Sequence, residues 1–455
     1  MVLLAKAALS EEWIGRAKKV LATTTIHSTF VPVRGEGVYL WDADGRRVMD
    51  FTSLVGVCNL GHGSYVQHIR DAVRAHEDKT GLSHTMTHDW VNRWAVELAE
   101  KLIAIAPGDY PKKVFFSNSG TEANEAALKL LLSARPEQTR FLVFPYAFHG
   151  RTFGSNALMG GRTIRTRFFP RPITAQAIPF PREKQRNTGN GVSQMERWTP
   201  EHYMELVEEI VEPFHEEVNA LFIEPEQGEG GMNPSELEFL LPLAYYCKER
   251  DIKIVDDEIQ TGIGRAGKML ACEYFPGFIP DIVTLAKSIC AGTHVLGVTI
   301  FDARLDFTEL GRHSNTFGGN SSACRAAFET IKSVEEILDR MKGVIHSPIT
   351  HLRKRLNDAT KAINHKCAAK HYAMRLANLR GLGWMLGLDV FISDRNGSDV
   401  PDPHLRDQIV ACAEQNGLLL LGCGKSAIRF MPPIVITNDE IDEAMHIFEN
   451  LPVWD

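Results

Sequence analysis

Residues 254–268 read IVDDEIQTGIGRAGK, and residues 280–288 read PDIVTLAKS. The apolar runs 252–255 and 282–285 have the length and composition of buried strands. Each run leads to a charge: Asp257 just past the first, Lys287 just past the second. In an open α/β sheet, chemistry gathers at the carboxyl ends of the strands. One acid and one lysine are therefore expected to face the same crevice.

Working outward, the same alternation repeats. KVFFS (113–117), FLVF (141–144) and ALFIEP (220–225) have the character of strands; 121–134, 201–216 and 237–250 carry helical spacing. Strand followed by helix, several times over, predicts a mostly parallel sheet covered by helices on both faces. Before this block lie helical segments at 11–21, 68–77 and 90–105, and a β-hairpin around the turn Asp42-Ala43-Asp44-Gly45. The stretch 156–199 is rich in Pro and Arg and is expected to be a long irregular loop. After residue 340 the pattern changes to helix, strands, helix, strands, helix. The expected division is an N-terminal segment 1–65 shared with a small domain, a large domain 66–340, and a C-terminal α+β domain 341–455.

The totals bound the function classes. The chain has 455 residues, 44% hydrophobic and 24% charged, with a net charge of -7. It is long enough for two domains, and it has no basic stripe for nucleic acid. Its 8 cysteines are scattered without a CxxC pair, as in proteins of a reducing compartment. The start, MVLLAKAALSEEW, is broken by Lys6 and followed by Glu11 and Glu12, so it lacks a signal-peptide core. No apolar run approaches bilayer length. These features lead to the expectation of a cytoplasmic protein with no membrane partner.

Four further motifs carry chemistry or its bland alternative. SNSGTEANE (117–125) joins a strand to a helix, and Ser119 with Glu122 matches a capping box. It is either an ordinary capped helix or an anion cradle, where Gly120 lets a ligand approach the free N–H groups and Thr121 adds a hydroxyl. PYAFHGRTFGS (145–155) is either a packed corner or a ring platform, Phe148, beside His149 and a carboxylate-binding Arg151. FIEPEQGEGGM (222–232) places Glu224, Glu226 and Glu229 after a strand, without a nearby histidine; with no HExxH in the chain and no third ligand for His84 and His88, no metal is expected. Gly262, Gly264 and Gly267 spell GxGxxG, but Asp256, Asp257 and Glu258 stand between strand and glycines, a poor setting for pyrophosphate. An anion cradle, a ring platform, an acid and a lysine are together what pyridoxal phosphate requires.

SGTEANEAALKL (119–130), FHGRT (148–152), EPEQGEGG (224–231), DDEIQTGIGRAGK (256–268), PDIVTLAKS and NTFGGN (315–320) occur in this order. Together they resemble the class III pyridoxal-phosphate aminotransferases, the 4-aminobutyrate and ornithine aminotransferase group, over nearly the whole chain. The resemblance implies a fold type I transferase: a large domain with a mostly parallel seven-stranded sheet, and a smaller α+β domain. It implies Lys287 as the Schiff-base lysine, Asp257 at the pyridine nitrogen, Gln260 at the ring hydroxyl, and Ile259 and Phe148 on the two ring faces. Ser119, Gly120 and Thr121 would surround the phosphate and His149 would flank the ring. Thr316 would reach the phosphate of a neighbouring subunit, which makes the protein a homodimer with shared sites. Arg429, in AIRFMPP (427–433), would bind the substrate carboxylate, with Glu229 as its partner when none is bound; Arg151 would hold a distal carboxylate. The chain departs from the group at Ser321, where Pro often follows GGN, and at SLVGVC (53–58), which offers Leu54 and Val55 in place of a Tyr or a charge. The expected reaction is transfer of an amino group from 4-aminobutyrate or a similar donor to a 2-oxo acid. The alternatives are an amino-acid racemase or epimerase on the same scaffold and, more distantly, a non-catalytic binding protein.

Overall fold

The computed structural model describes residues 8–24, 28–82, 84, 89–160, 169–182, 198–393 and 398–454. The chain opens with the helix Ala8–Val20 and three strands, β1 (Pro32–Glu36), β2 (Tyr39–Asp42) and β3 (Arg47–Asp50). β2 and β3 form the expected hairpin, with Tyr39 opposite Met49. Gly45 supplies the left-handed residue of its turn, at φ 81.

The central sheet follows. Its strands are β4 (Lys112–Ser117), β5 (Arg140–Val143), β6 (Thr174–Ala177) and β7 (Val218–Ile223). After the short pair β8 (Glu226–Gln227) and β9 (Asn233–Pro234) come β10 (Lys253–Asp257), β11 (Ile282–Leu285) and β12 (Gly297–Asp302). The seven strands lie in the order β4-β12-β11-β10-β7-β5-β6. Every pairing is parallel except the two made by β12, so one strand alone runs against the rest. β7, β11 and β12 are buried along their whole length, as befits strands covered on both faces.

The C-terminal block contains β13 (Met374–Leu382), β14 (Met385–Ser393), β15 (Asp399–Pro401), β16 (Leu418–Leu419), β17 (Leu421–Cys423) and β18 (Ala427–Phe430). β16 pairs with β3, so the N-terminal hairpin is tied into this block by the backbone. Among the described residues, no helix is long and apolar enough to cross a membrane.

Three elements differ from the expectation. Within 156–199, Thr174–Ala177 pairs with β5 as the sheet's edge strand; its sequence TAQA lacks the apolar run that marks a buried strand, because an edge strand is half solvated. The segments 161–168 and 183–197 of that stretch lie outside the described residues. The helix expected over 201–216 is α-helical only over Pro200–Val211 and tightens to a 3-10 turn, Glu212–Glu217, where Pro213 has no N–H to continue the ladder. The helix Ser321–Met341 was not expected from the sequence alone; it buries Ala323, Ala327, Ile331 and Val334.

Candidate active site

β10 and β11 run side by side with Asp257 in register with Thr284. Lys287 begins a short turn, Lys287–Cys290, two residues past the end of β11. Its backbone sits at φ 43, in the left-handed region that a residue with a Cβ seldom adopts. Strain of this kind persists where the surroundings over-determine it, commonly at reactive sites.

Asp257 is 3% exposed. Its Oδ2 accepts from the Asn124 side-chain amide at 2.7 Å and lies 2.7 Å from His149 Nδ1. Its Oδ1 accepts from the Ile259 N–H at 3.1 Å. Asn124 also donates to the His149 carbonyl (2.7 Å) and accepts from the Thr284 hydroxyl (3.0 Å). One amide thus ties the helix Gly120–Ala134 to β11, to the acid and to the histidine. Burial pulls the His149 imidazolium down, but its bond to Asp257 and the charges of Asp257 and Glu224 outweigh it and raise the pKa.

The helix Gly120–Ala134 starts at Ser119, whose Oγ accepts from the Glu122 N–H at 3.2 Å. Glu122 reaches back one residue further than the capping box requires, accepting from the Asn118 N–H at 2.6 Å. The N–H groups of Gly120 and Thr121 stand at the first two helical positions, where the helix supplies no acceptor. Gly120 lies so close to Ile259 that an added Cβ would sit 2.7 Å from Ile259 Cγ2.

These groups line one cavity of about 280 Å³. Ser119, Gly120, Thr121, Phe148, His149, Asp257, Ile259, Gln260 and Lys287 form its wall, and Glu229 and Glu224 join them. Burial presses the Lys287 ammonium below the usual lysine range; the carboxylates of Glu229, Asp257 and Glu224 push back, and Arg429 adds to the depression. Glu224 is pushed up to about 7, chiefly by burial. Arg429, on β18, is 5% exposed, and its Nη1 donates to Glu229 Oε1 at 2.7 Å.

The other expected residues lie outside the lining. Arg151 is exposed, its guanidinium 5.6 Å from the Phe148 ring centroid. Thr316 is also exposed. Val55 is 40% exposed in a left-handed run with Ser53 and Leu54, and Val57 lines the cavity in its place. The glycines of GxGxxG form a turn beyond β10: Gly264 packs on Val334 and Gly267 on Gly383. Asn124 and His294 were not anticipated. Asn124 had a signal, since it sits one helical turn after Gly120 and so shares its face.

The cavity fits pyridoxal phosphate on its unsatisfied groups. Gln260 Oε1 and Arg429 Nε are buried without a partner, beside an anion-favouring helix start and an aromatic wall. A sheet of this order, with its chemistry gathered past β7, β10 and β11, is the architecture of fold type I pyridoxal-phosphate enzymes. A family model for aminotransferase class-III matches residues 21–451. An acetylornithine aminotransferase of Lactococcus lactis is 34% identical over 422 residues, covering 93% of this chain and 97% of the relative. A probable 4-aminobutyrate aminotransferase of Bacillus subtilis is 32% identical over 425 residues, covering 92% and 91%. Among solved structures, an (S)-enantioselective omega-transaminase from Thermomicrobium roseum is similar with a TM-score of 0.80 at 23% identity, covering 96% of this chain and 97% of that one. The chain belongs to the class-III aminotransferases, which depend on pyridoxal phosphate.

Gly120→Ala tests the cradle. The new Cβ must displace Ile259 from the cavity wall, so the variant is expected to bind pyridoxal phosphate about tenfold more weakly, roughly 1.4 kcal/mol. Equilibrium dialysis of the cofactor measures this.

Proposed function

We propose that the chain transfers an amino group from an ω-amino acid to a 2-oxo acid such as 2-oxoglutarate. The observation that carries this is the Glu229–Arg429 pair beside the cavity that holds Lys287 and Asp257. When bound, pyridoxal phosphate supplies an aldehyde that condenses with amines and a ring that draws electrons from the substrate.

The side chains do the rest. Asp257, fixed by Asn124 and His149, offers a negative charge that holds a proton on the ring nitrogen. Lys287, its pKa depressed by burial, reaches the amine form more readily and so takes and returns a proton at Nζ. Arg429 is charged and buried, so it needs a carboxylate at every stage. Glu229 serves when no substrate is present, and a substrate carboxylate displaces it. Gly120 and Thr121 hold the phosphate by their N–H groups, Gln260 meets the ring hydroxyl, and Phe148 and Ile259 cover the ring faces. Exposed Arg151 is left to hold a distal carboxylate.

N-acetylornithine is the first donor to test and 4-aminobutyrate the second. Free ornithine brings a second ammonium that wants an acid, whereas Val57 and Leu296 give the cavity an apolar stretch of wall. An acetylated amine needs none. The same reading makes the protein a dimer, with exposed Thr316 serving the neighbouring subunit's phosphate; Val295 and Phe317, 70% and 61% exposed, are apolar surface for that contact. It also keeps the division into segments 1–65, 66–340 and 341–455.

A donor panel with and without 2-oxoglutarate, with chiral analysis of every amino acid, tests the proposal. Glutamate should appear with an ω-amino donor. Loss of optical rotation in one amino acid without any 2-oxo acid would assign a racemase instead. Arg429→Leu is expected to raise KM for the donor tenfold to a hundredfold, since a bond to a charged group contributes about 1.5–3 kcal/mol.

A further inference from the structure

Glu224 has no place in the steps above, yet it lies at the carboxyl end of β7 with 6% exposure and lines the cavity. Its Oε2 accepts from the Phe148 N–H at 3.0 Å, and its Oε1 accepts from the Gly228 N–H at 3.2 Å. These donors belong to two separate loops. One carries the ring platform. The other carries Glu229 and passes so close to Gln260 that an added Cβ at Gly228 would collide with the Gln260 side chain.

We propose that Glu224 is the positioning residue for both walls of the cofactor cavity: one carboxylate fixes Phe148 on one side and the Gly228–Glu229 loop, with Gln260, on the other. The proposal rests on this cavity being the pyridoxal phosphate site. An ionised carboxylate has an acceptor for each N–H. A protonated one has a single good acceptor and an O–H, so one of the two N–H groups loses its partner. The groups facing Glu224 are His149 from the loop after β5, Asp257 from β10, Glu226 from β8 and Lys287 past β11. Burial outweighs the nearby His149 charge and holds Glu224 up near 7. Both bonds are therefore present above about pH 7, and one is lost as pH falls through it.

The test is release of pyridoxal phosphate from the holoenzyme, measured as a dissociation constant by ultrafiltration and absorbance at pH 6 and pH 8.5. Glu224→Gln mimics the protonated acid, with one acceptor and one donor. It is expected to release the cofactor about tenfold more readily than wild type at pH 8.5, and within twofold of wild type at pH 6. Glu224→Asp keeps the carboxylate but is one methylene short of the two N–H groups; its deficit should be larger at pH 8.5, where wild type makes both bonds, than at pH 6, and it carries the test if the Gln variant does not fold. A residue that only braces the fold would give a constant ratio across pH. Wild-type affinity in Glu224→Gln at pH 8.5, or a pH-independent ratio, overturns the proposal. A wild-type chain that takes up no pyridoxal phosphate overturns the cavity assignment beneath it.

Discussion

Lys287→Ala is expected to lower turnover by at least about ten-thousandfold while leaving the protein folded and pyridoxal phosphate bound. The size follows from what the side chain is asked to do. It supplies the amine that anchors the cofactor, and it moves the proton in the step that distinguishes transfer from mere binding. General acid–base help alone is worth about 10²–10⁴, and losing covalent catalysis adds to that. Lys287 is suited to both roles because burial lowers its pKa against the pull of Glu229, Asp257 and Glu224. The cofactor should stay because Asp257, Phe148, Gln260 and the helix start at Ser119 do not depend on the lysine. Product formation by NMR, together with the absorbance of bound pyridoxal phosphate, checks both halves. Small primary amines added to the variant should restore part of the proton transfer, which a purely structural lysine would not allow. Undiminished turnover would sink the assignment of the site.

Much of this site was legible because the chemistry sits where strands end. Two apolar runs with a charge past each were enough to bring Asp257 and Lys287 together. The segments after two further strands then offered an anion cradle and a ring platform, and the family resemblance implied the Glu229–Arg429 pair, which the structure joins across 200 residues of chain. What the sequence hid is of two kinds. Asn124 and Glu224 bond to groups on other elements, His149, Thr284 and Phe148, and Glu224 also accepts from the Gly228 N–H in the loop that follows it. Residue type alone does not tell such a polar side chain from a solvated one. The other kind is structure set by context. The edge strand Thr174–Ala177 exists because β5 offers it partners, and the antiparallel strand Gly297–Asp302 has the same apolar character as its parallel neighbours. Strand direction leaves no mark in composition.

The acid before Asp257 points to the other large effect. Side chains alternate along a strand, so Asp257 meets the cavity while Asp256 turns away into the core. There it is 0% exposed, and its hydrogen-bond donor is the weak Cys272 thiol. Glu258 and Cys272 lie with it, their ligand atoms within 4.8 Å of one another. Glu258 is satisfied by the Cys272 N–H at 2.8 Å and the Thr261 hydroxyl. Burial, then the charge of Glu258, drives the Asp256 pKa well above the carboxylate range, against a smaller opposing pull from the Cys272 thiol. The folded chain therefore keeps a proton that the unfolded chain gives up near pH 4. That contribution to stability is fully present below the unfolded pKa and is lost as pH rises toward the folded one, by up to about 1.4 kcal/mol per pH unit. Asp256→Asn carries no such proton. It should melt close to wild type at pH 4.5 and several degrees above it at pH 8, a gap that widens steadily between the two. Differential scanning calorimetry of the holoenzyme across that range reads it directly. A variant that melts below wild type at pH 8 would mean that the ionised carboxylate is paired in the core, and the neutral acid behind Asp257 would have to be given up.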